Sequence, residues 1–327
     1  MLATDSQSIN AMGGTELMKY RVYSALSDDL KNEIQLIASR VEEKLDETKI
    51  RLLWCHDLPG DPASDHLKNG GWKRFHKLIF VSNWQMQGYI SYYDIPWSHC
   101  IVLQNGIKPI IPHVKPNDGT IRLAYWSTPH RGLELLVPVF DAVSQRRPNI
   151  VLDVYSSFSL YGWPQRDEQY KRLFEQCEKH SKINYHGAIP NEELRERLLD
   201  THILAYPSIW METSCLTLME AMSAGLLCIH SNLGALSETA ANFTFMYQFD
   251  EDRQRHASKF ATLLDIGIES YWTEHTQSFL QTQKVYADMF YNIDSKTSQW
   301  ESLIRSLLNE PRALPKITSG ETFVYKI

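Results

Sequence analysis

Short apolar runs recur along the chain and alternate with stretches of helical composition. In the first third of the chain the runs are Ile34 to Ala38, Ile50 to Cys55, Leu78 to Val81 and Ile101 to Leu103. Later come Ile121 to Trp126, Val151 to Tyr155, Ile183 to His186, His202 to Tyr206 and Leu226 to Ile229. Continuous runs this short predict strands of a parallel sheet buried on both faces rather than half-exposed hairpins. Between them, helices are expected from the paired glycines Gly13-Gly14 to about Leu26, with Leu17, Tyr20 and Leu26 near one face. Others are expected over Trp84 to about Tyr92, capped by Ser82-Asn83, and over Leu133 to about Gln145, Gln165 to Lys179 and the region from Glu192. Leu216 to Ala224 reads as a helix closed by Gly225, and Tyr271 to Leu308 as mainly helical. The class is α/β.

Pro109, Pro112 and Pro116 fall in a segment poor in helix formers, which predicts a linker. The expected organisation is one domain over residues 1–115 and a second over 116–290. A C-terminal helix and tail occupy 291–327. A chain of 327 residues suits two such cores.

Composition narrows the function. A formal charge of −6 gives no electrostatic footprint for nucleic acid, which argues against such a partner. The five cysteines are widely spaced and mostly inside apolar runs, as buried free thiols of a reducing cytosol would be. No CxxC or HExxH spacing occurs among scattered histidines, so no metal site is expected. No run reaches the length of a membrane span, and the first ten residues lack the basic start and apolar middle of a signal peptide, so the expected location is cytoplasmic. No motif speaks to oligomeric state.

Candidate chemistry concentrates in Tyr206 to Gly225, YPSIWMETSCLTLMEAMSAG. Glu212 falls in a loop between strand and helix, at the carboxyl edge where open α/β sheets bind ligands. Glu220 follows on the helix, whose free N–H groups near Cys215 and Leu216 suit a phosphate. Carboxylates accept hydrogen bonds from hydroxyls, so two of them flanking an anion site suit a polyol built around a phosphate, such as a nucleotide sugar. The same residues also fit a plainer reading, with Thr217-x-x-Glu220 as a capping box and Glu212 as a solvated loop acid. Elsewhere, Ser127-Thr128-Pro129-His130-Arg131-Gly132 offers hydroxyls, N–H groups and a fixed charge able to bridge phosphate oxygens. His56 stands at a strand end before Asp57-Leu58-Pro59.

The central stretch resembles the Glu-x7-Glu segment of retaining glycosyltransferases of the GT-B fold, family 4. Gly-Gly-Thr-Glu from Gly13 resembles the loop that follows the first strand in that family, and 127–132 resembles its diphosphate loop. In that loop Arg131-Gly132 matches a Lys-Gly position, and a second basic residue is replaced by Ser127 or Thr128. The segment His230 to Glu238 resembles the family's Gly-rich loop, with a structural role assigned to Glu238. The resemblance implies two Rossmann-like domains facing a cleft, with the last helix crossing back to the first domain. Only a dozen mostly polar residues precede the glycines, so the first strand of the N-terminal domain is expected to be missing.

By the same resemblance Glu212 holds the donor sugar, Glu220 the ribose, and Arg131 with Ser127, Thr128, Cys215 and Leu216 the diphosphate. Gly13 and Gly14 lie against the donor phosphate and acceptor, Gly187 and Ala188 against the base, and His56 near the donor sugar. The implied reaction moves a hexose from a UDP- or GDP-sugar, without metal or further cofactor, to a saccharide, lipid-linked or other hydroxyl acceptor. A sugar-nucleotide epimerase of similar fold and a non-catalytic nucleotide-sugar-binding protein remain the alternatives.

Overall fold

The four apolar runs of the first third of the chain become four parallel strands. In the computed structural model, residues 13–310 are described, and they pack into two units, residues 15–108 with 291–310 and residues 109–290 with 13–14. The expectation of a missing first strand rests on residues 1–12, which lie outside the described residues.

The first unit opens with helices α1 (Gly14–Ala25) and α2 (Asp28–Glu33), followed by β1 (Ile34–Ala38) and β2 (Ile50–Cys55). A 3-10 segment, Pro62–Arg74, leads to β3 (Lys77–Phe80), helix α3 (Asn83–Tyr93) and β4 (Cys100–Val102). The strands stand in the order β1-β2-β3-β4, all parallel. All six residues of β2 are buried, as a strand covered on both faces must be. Leu53, Cys55, Leu78 and Phe80 enter a core with Trp72, Phe75, Met86 and Tyr89. Ser82 caps α3 as its sequence predicts, its Oγ accepting from Gln85 N at 3.0 Å. The α1 stripe differs from expectation. Met18, Val22 and Leu26 are buried, one turn apart, while Tyr20 is 54% exposed. The helix offers two neighbouring apolar rows, and the i, i+4, i+8 row is the one that meets the core.

The second unit runs through β5 (Ile121–Trp126), α4 (Leu133–Arg146), β6 (Ile150–Tyr155), α5 (Lys171–Lys179) and β7 (Ile183–Tyr185). It continues through α6 (Asn191–Arg197), β8 (Ile203–Tyr206), α7 (Leu216–Ser223), β9 (Leu227–Ser231), α8 (Leu236–Ala240) and β10 (Phe245–Tyr247), and closes with α9 (Arg253–Ser270) and α10 (Glu274–Phe290). A final helix, α11 (Ile293–Asn309), belongs to the first unit, where Trp300 packs edge-on to Trp54 at 4.8 Å. The helix expected from Gln165 starts later, because Pro164–Tyr170 forms a 3-10 turn instead. Asp167 in that turn accepts from Phe158 N at 2.8 Å and from Ser157 Oγ, tying it to the loop after β6.

The second sheet has six parallel strands in the order β10-β9-β8-β5-β6-β7. The winding therefore reverses between β5 and β8. At such a reversal the loops after two adjacent strands diverge to opposite faces and leave a crevice at the carboxyl edge. The loops concerned are residues 127–132 and 207–215, which contain the residues singled out above.

Candidate functional site at the switch point of the second sheet

The β5 and β8 loops touch through their backbones. Gly132 has φ +131, and a Cβ there would fall 2.3 Å from the Pro207 carbonyl oxygen. Ile209 N donates to Arg131 O at 3.3 Å. This contact brings Arg131 to Glu212. Nη1 of Arg131 donates to Oε1 and Oε2 of Glu212 at 2.6 and 2.7 Å, and Tyr206 Oη donates to Oε1 at 2.6 Å. Glu212 is 4% exposed, which disposes of the solvated-loop reading. Burial works against the Arg131 charge, but the adjacent Glu212 carboxylate outweighs it and holds the guanidinium pKa well above its ordinary value. Burial, with the Glu212 charge beside it, likewise pushes the Tyr206 phenol up.

The main chain of Glu212 is fixed from the other side by the loop after β9. Glu212 and Gly234 form a parallel bridge, and Ala235 N donates to Glu212 O at 2.7 Å. Gly234 has φ +66, and a Cβ on it would lie 2.6 Å from that carbonyl oxygen, so only glycine fits. The Gly-rich loop from His230 thus buttresses the acid.

Helix α7 starts beside this pair. Its N-cap is Cys215, whose Sγ accepts from Leu218 N at 3.4 Å, and burial holds that thiol protonated by raising its pKa. Thr217 is inside the helix and donates through Oγ1 to Trp126 O at 3.0 Å. The capping box over Thr217 and Glu220 does not form, because the helix begins two residues earlier than that motif requires. Gly14 comes close to Leu216, a Cβ on the glycine falling 3.4 Å from Leu216 Cδ1.

Glu220 is 2% exposed and looks toward α6. Asn191 Nδ2 lies 3.4 and 3.3 Å from its two oxygens, and Arg195 Nη1 lies 3.3 Å from Oε1. The turn Gly187-Ala188 leads directly into α6 and follows His186, which is held by Asp153 at 2.8 Å and stacked on Tyr155 at 4.6 Å. The structure therefore joins Arg131 with Glu212, and ties Glu220 to the helix that the Gly187 turn initiates. Tyr206, Asn191 and Arg195 belong to no sequence motif that marks them as partners of these acids. The four-residue spacing of Asn191 and Arg195, which places them on one helical face, is the single sign of them in the sequence.

Along the carboxyl edge that carries the Arg131–Glu212 pair, six buried polar atoms have no hydrogen-bond partner among the described residues. They are Trp126 Nε1, Thr128 Oγ1, His130 Nδ1, Arg131 Nε, Ser156 Oγ and Ser214 Oγ. All six belong to the carboxyl end of β5 or to the loops following β5, β6 and β8. Ser127 precedes Thr128 and is partly exposed, while Thr128 is buried and its carbonyl accepts from Tyr125 Oη at 2.8 Å. His130 lies between Phe158, stacked at 5.3 Å, and Trp210, edge-on at 4.7 Å. Burial, then the Arg131 and Arg166 charges, lower its pKa to about 4, so it is neutral at physiological pH.

His56 belongs to the first unit, at the carboxyl end of β2. Its N–H donates to Ser39 Oγ at 3.1 Å and its ring lies 4.6 Å from Trp54. Burial lowers its pKa to about 3, which leaves the imidazole uncharged. The five cysteines are free thiols, and among the described residues no helix is long and apolar enough to cross a membrane.

Comparison with known proteins agrees with this architecture. Residues 127–271 match the family described as glycosyl transferases group 1. One of the subunits of the phosphatidylinositol N-acetylglucosaminyltransferase of Arabidopsis thaliana is 31% identical over 120 residues, 36% of this chain and 24% of that protein. The match thus spans about a quarter of the curated relative's length. Among solved structures, a glycosyltransferase from Rickettsia africae ESF-5 superposes with a TM-score of 0.67 at 16% identity, covering 95% of this chain and 84% of that one. HepE of Anabaena in complex with UDP-glucose gives 0.63 at 15% identity, covering 79% and 72%. The pneumococcal O-GlcNAc transferase GtfA in complex with UDP and GlcNAc gives 0.63 at 13%, covering 80% and 53%. The fold is that of the GT-B glycosyltransferases.

Proposed function

We propose that this chain is a glycosyltransferase that moves a sugar from a nucleotide-diphosphate sugar to an acceptor hydroxyl with retention of anomeric configuration and without a metal ion. The observation that carries the reading is the set of orphaned polar atoms along the carboxyl edge that carries the Arg131–Glu212 pair. A buried donor or hydroxyl without a partner costs about 1–3 kcal/mol. Six of them on the edge that carries one ion pair are accounted for by a polar ligand that enters the crevice and satisfies them. The relatives' bound UDP and UDP-glucose suggest which ligand chemistry to test first.

In this reading Arg131, with the hydroxyls of Thr128, Ser127 and Ser214 and the start of α7 at Cys215 and Leu216, receives the diphosphate. Glu212, held by Arg131, Tyr206 and the Gly234 loop, accepts hydrogen bonds from donor-sugar hydroxyls. Glu220 accepts from the ribose, and the Gly187-Ala188 backbone receives the base. During transfer the bond from the anomeric carbon to the diphosphate oxygen breaks and its electron pair stays on that oxygen. The acceptor oxygen then bonds to the anomeric carbon on the same face, and its proton passes to the released phosphate oxygen. The growing negative charge is met by a guanidinium and fixed N–H dipoles that need no reorganisation, an effect worth about a hundredfold or more in rate. His56, uncharged, can offer transfer a hydrogen bond but no charge, and Gly13 and Gly14 line the acceptor side. The acceptor is a saccharide, a lipid-linked sugar or another hydroxyl compound.

The test is product analysis with a panel of UDP- and GDP-sugars and simple glycoside acceptors, with and without EDTA. The reading predicts an α-linked product from an α-linked donor, at a rate that EDTA leaves unchanged. An inverted product would remove the mechanism, and altered free donor without transfer would identify an epimerase. Activity lost in EDTA and restored by a divalent ion would contradict metal independence.

A further inference from the structure

Asn191 and Arg195 are four residues apart and therefore project from one face of α6. That face meets Glu220, which lies on a different helix and is buried to 2% exposure. A carboxylate taken out of water is costly unless a cation and hydrogen-bond donors replace the lost hydration. Arg195 supplies the cation, with its own side chain only 11% exposed. Asn191 supplies an amide within 3.4 Å of both carboxylate oxygens. The guanidinium is itself fixed at a second point, since Arg195 Nη2 lies 3.5 Å from the Pro109 carbonyl. Thus one short helix sets both the charge balance and the direction of the acid.

Resting on the donor reading above, in which Glu220 receives the nucleotide ribose, we infer that Asn191 and Arg195 are positioning residues for ribose recognition. They balance the charge of Glu220 and aim its carboxylate, and they act through it without touching the nucleotide. The same turn and helix then serve two parts of one ligand. Gly187-Ala188 faces the base, and four to eight residues later the clamp sets the acid for the sugar next to it. This links discrimination of ribose from deoxyribose to α6 rather than to α7 alone.

A clamp of this kind is distinguished from a plain staple between two helices by the ligand it discriminates. Calorimetry of the full chain would compare a ribonucleoside diphosphate with its 2′,3′-dideoxy counterpart, beginning with UDP and proceeding to GDP and ADP. The wild type is expected to prefer the ribose form by about tenfold or more, the size of a hydrogen bond to a charged group. Both R195Q and N191A should weaken the ribose form and leave the dideoxy form within about twofold, so that the preference shrinks. Arg195→Lys, which retains the charge, should recover part of it. Circular dichroism melts on each variant confirm that the comparison is made on folded protein. If R195Q weakens both forms equally or keeps the preference intact, while E220Q abolishes it, the clamp is wrong and the ribose role of Glu220 stands. If the wild type binds no nucleoside diphosphate, the donor reading itself fails and takes the clamp with it; if it binds ribose and dideoxy forms alike, the ribose role of Glu220 fails with the clamp while the diphosphate site stands.

Discussion

The two sheets treat their carboxyl edges differently. In the first unit the strands follow one another in order, β1 to β4, so every crossover winds the same way and no switch point arises among the described residues. The chain after β2 is occupied by its own neighbours. Gln85 Nε2 and Tyr89 Oη of α3 both donate to the Asp57 carbonyl, at 2.8 and 3.2 Å. In the second unit the winding reverses between β5 and β8, and the loops that diverge there carry an ion pair of 2.6 Å, with partnerless polar atoms along the same carboxyl edge. Topology explains the contrast. A reversal leaves room for a ligand at the carboxyl edge. Buried atoms without a hydrogen-bond partner among the described residues also occur in the first unit, at Arg51, Trp54 and Asn105, but no pair of its described strands reverses the winding. The proposed donor chemistry therefore falls in the second unit.

The sharpest break of that contrast is Glu212→Ala. It leaves the partly exposed Arg131 guanidinium with no carboxylate beside it, a loss of about 1–3 kcal/mol. Transfer should fall by about a hundredfold to a thousandfold, while UDP or GDP affinity, which rests on other groups, changes little. Wild-type turnover in this variant would detach Glu212 from the chemistry.

Next in size is Gly234→Ala, which touches no ligand in the proposed scheme. The methyl would enter the backbone of Glu212, and the residue sits at positive φ, so about 2 kcal/mol or more of stability should be lost together with activity. A thermal melt and a rate measured on the same sample check this. An unchanged melt with full activity would show that the loop does not buttress the acid.

The smallest effect is expected in the first unit. His56→Ala removes an uncharged imidazole from the sheet that has no switch point, and transfer should drop by about tenfold with nucleotide affinity intact. A drop as large as that of Glu212→Ala would overturn the contrast between the units, and no drop at all would leave His56 as a packing residue beside Trp54.

Much of this fold is legible from runs of apolar residues. Strands β1 and β2 begin and end where the pattern predicts, because buried parallel strands leave continuous runs bounded by polar residues. Helix α9 is less legible, since its buried row of His256, Phe260, Leu264 and Gly267 is diluted by a histidine and a glycine. At the site, the sequence names Arg131, Glu212 and Glu220 but not their partners. Tyr206 reads as the end of a strand, and its hydroxyl reaches Glu212 only because the β8 loop folds back over six residues. Asn191 and Arg195 read as the polar start of a surface helix, and their packing against α7 is a tertiary fact. The capping box that fails to form has a similar origin. Thr217 carries the right side chain, yet Cys215 takes the cap because the β8 loop delivers the chain two residues sooner.

At the centre of the proposed function, the crevice between β5 and β8 holds the diphosphate of a nucleotide sugar. Calorimetric titration of wild type and Arg131→Ala with UDP, GDP and their sugar derivatives tests this most directly. At least one of these ligands is predicted to bind the wild type and to lose about tenfold or more in affinity in the variant, roughly what one charge-assisted contact supplies. Equal affinity in the two proteins, with both folded, would contradict it.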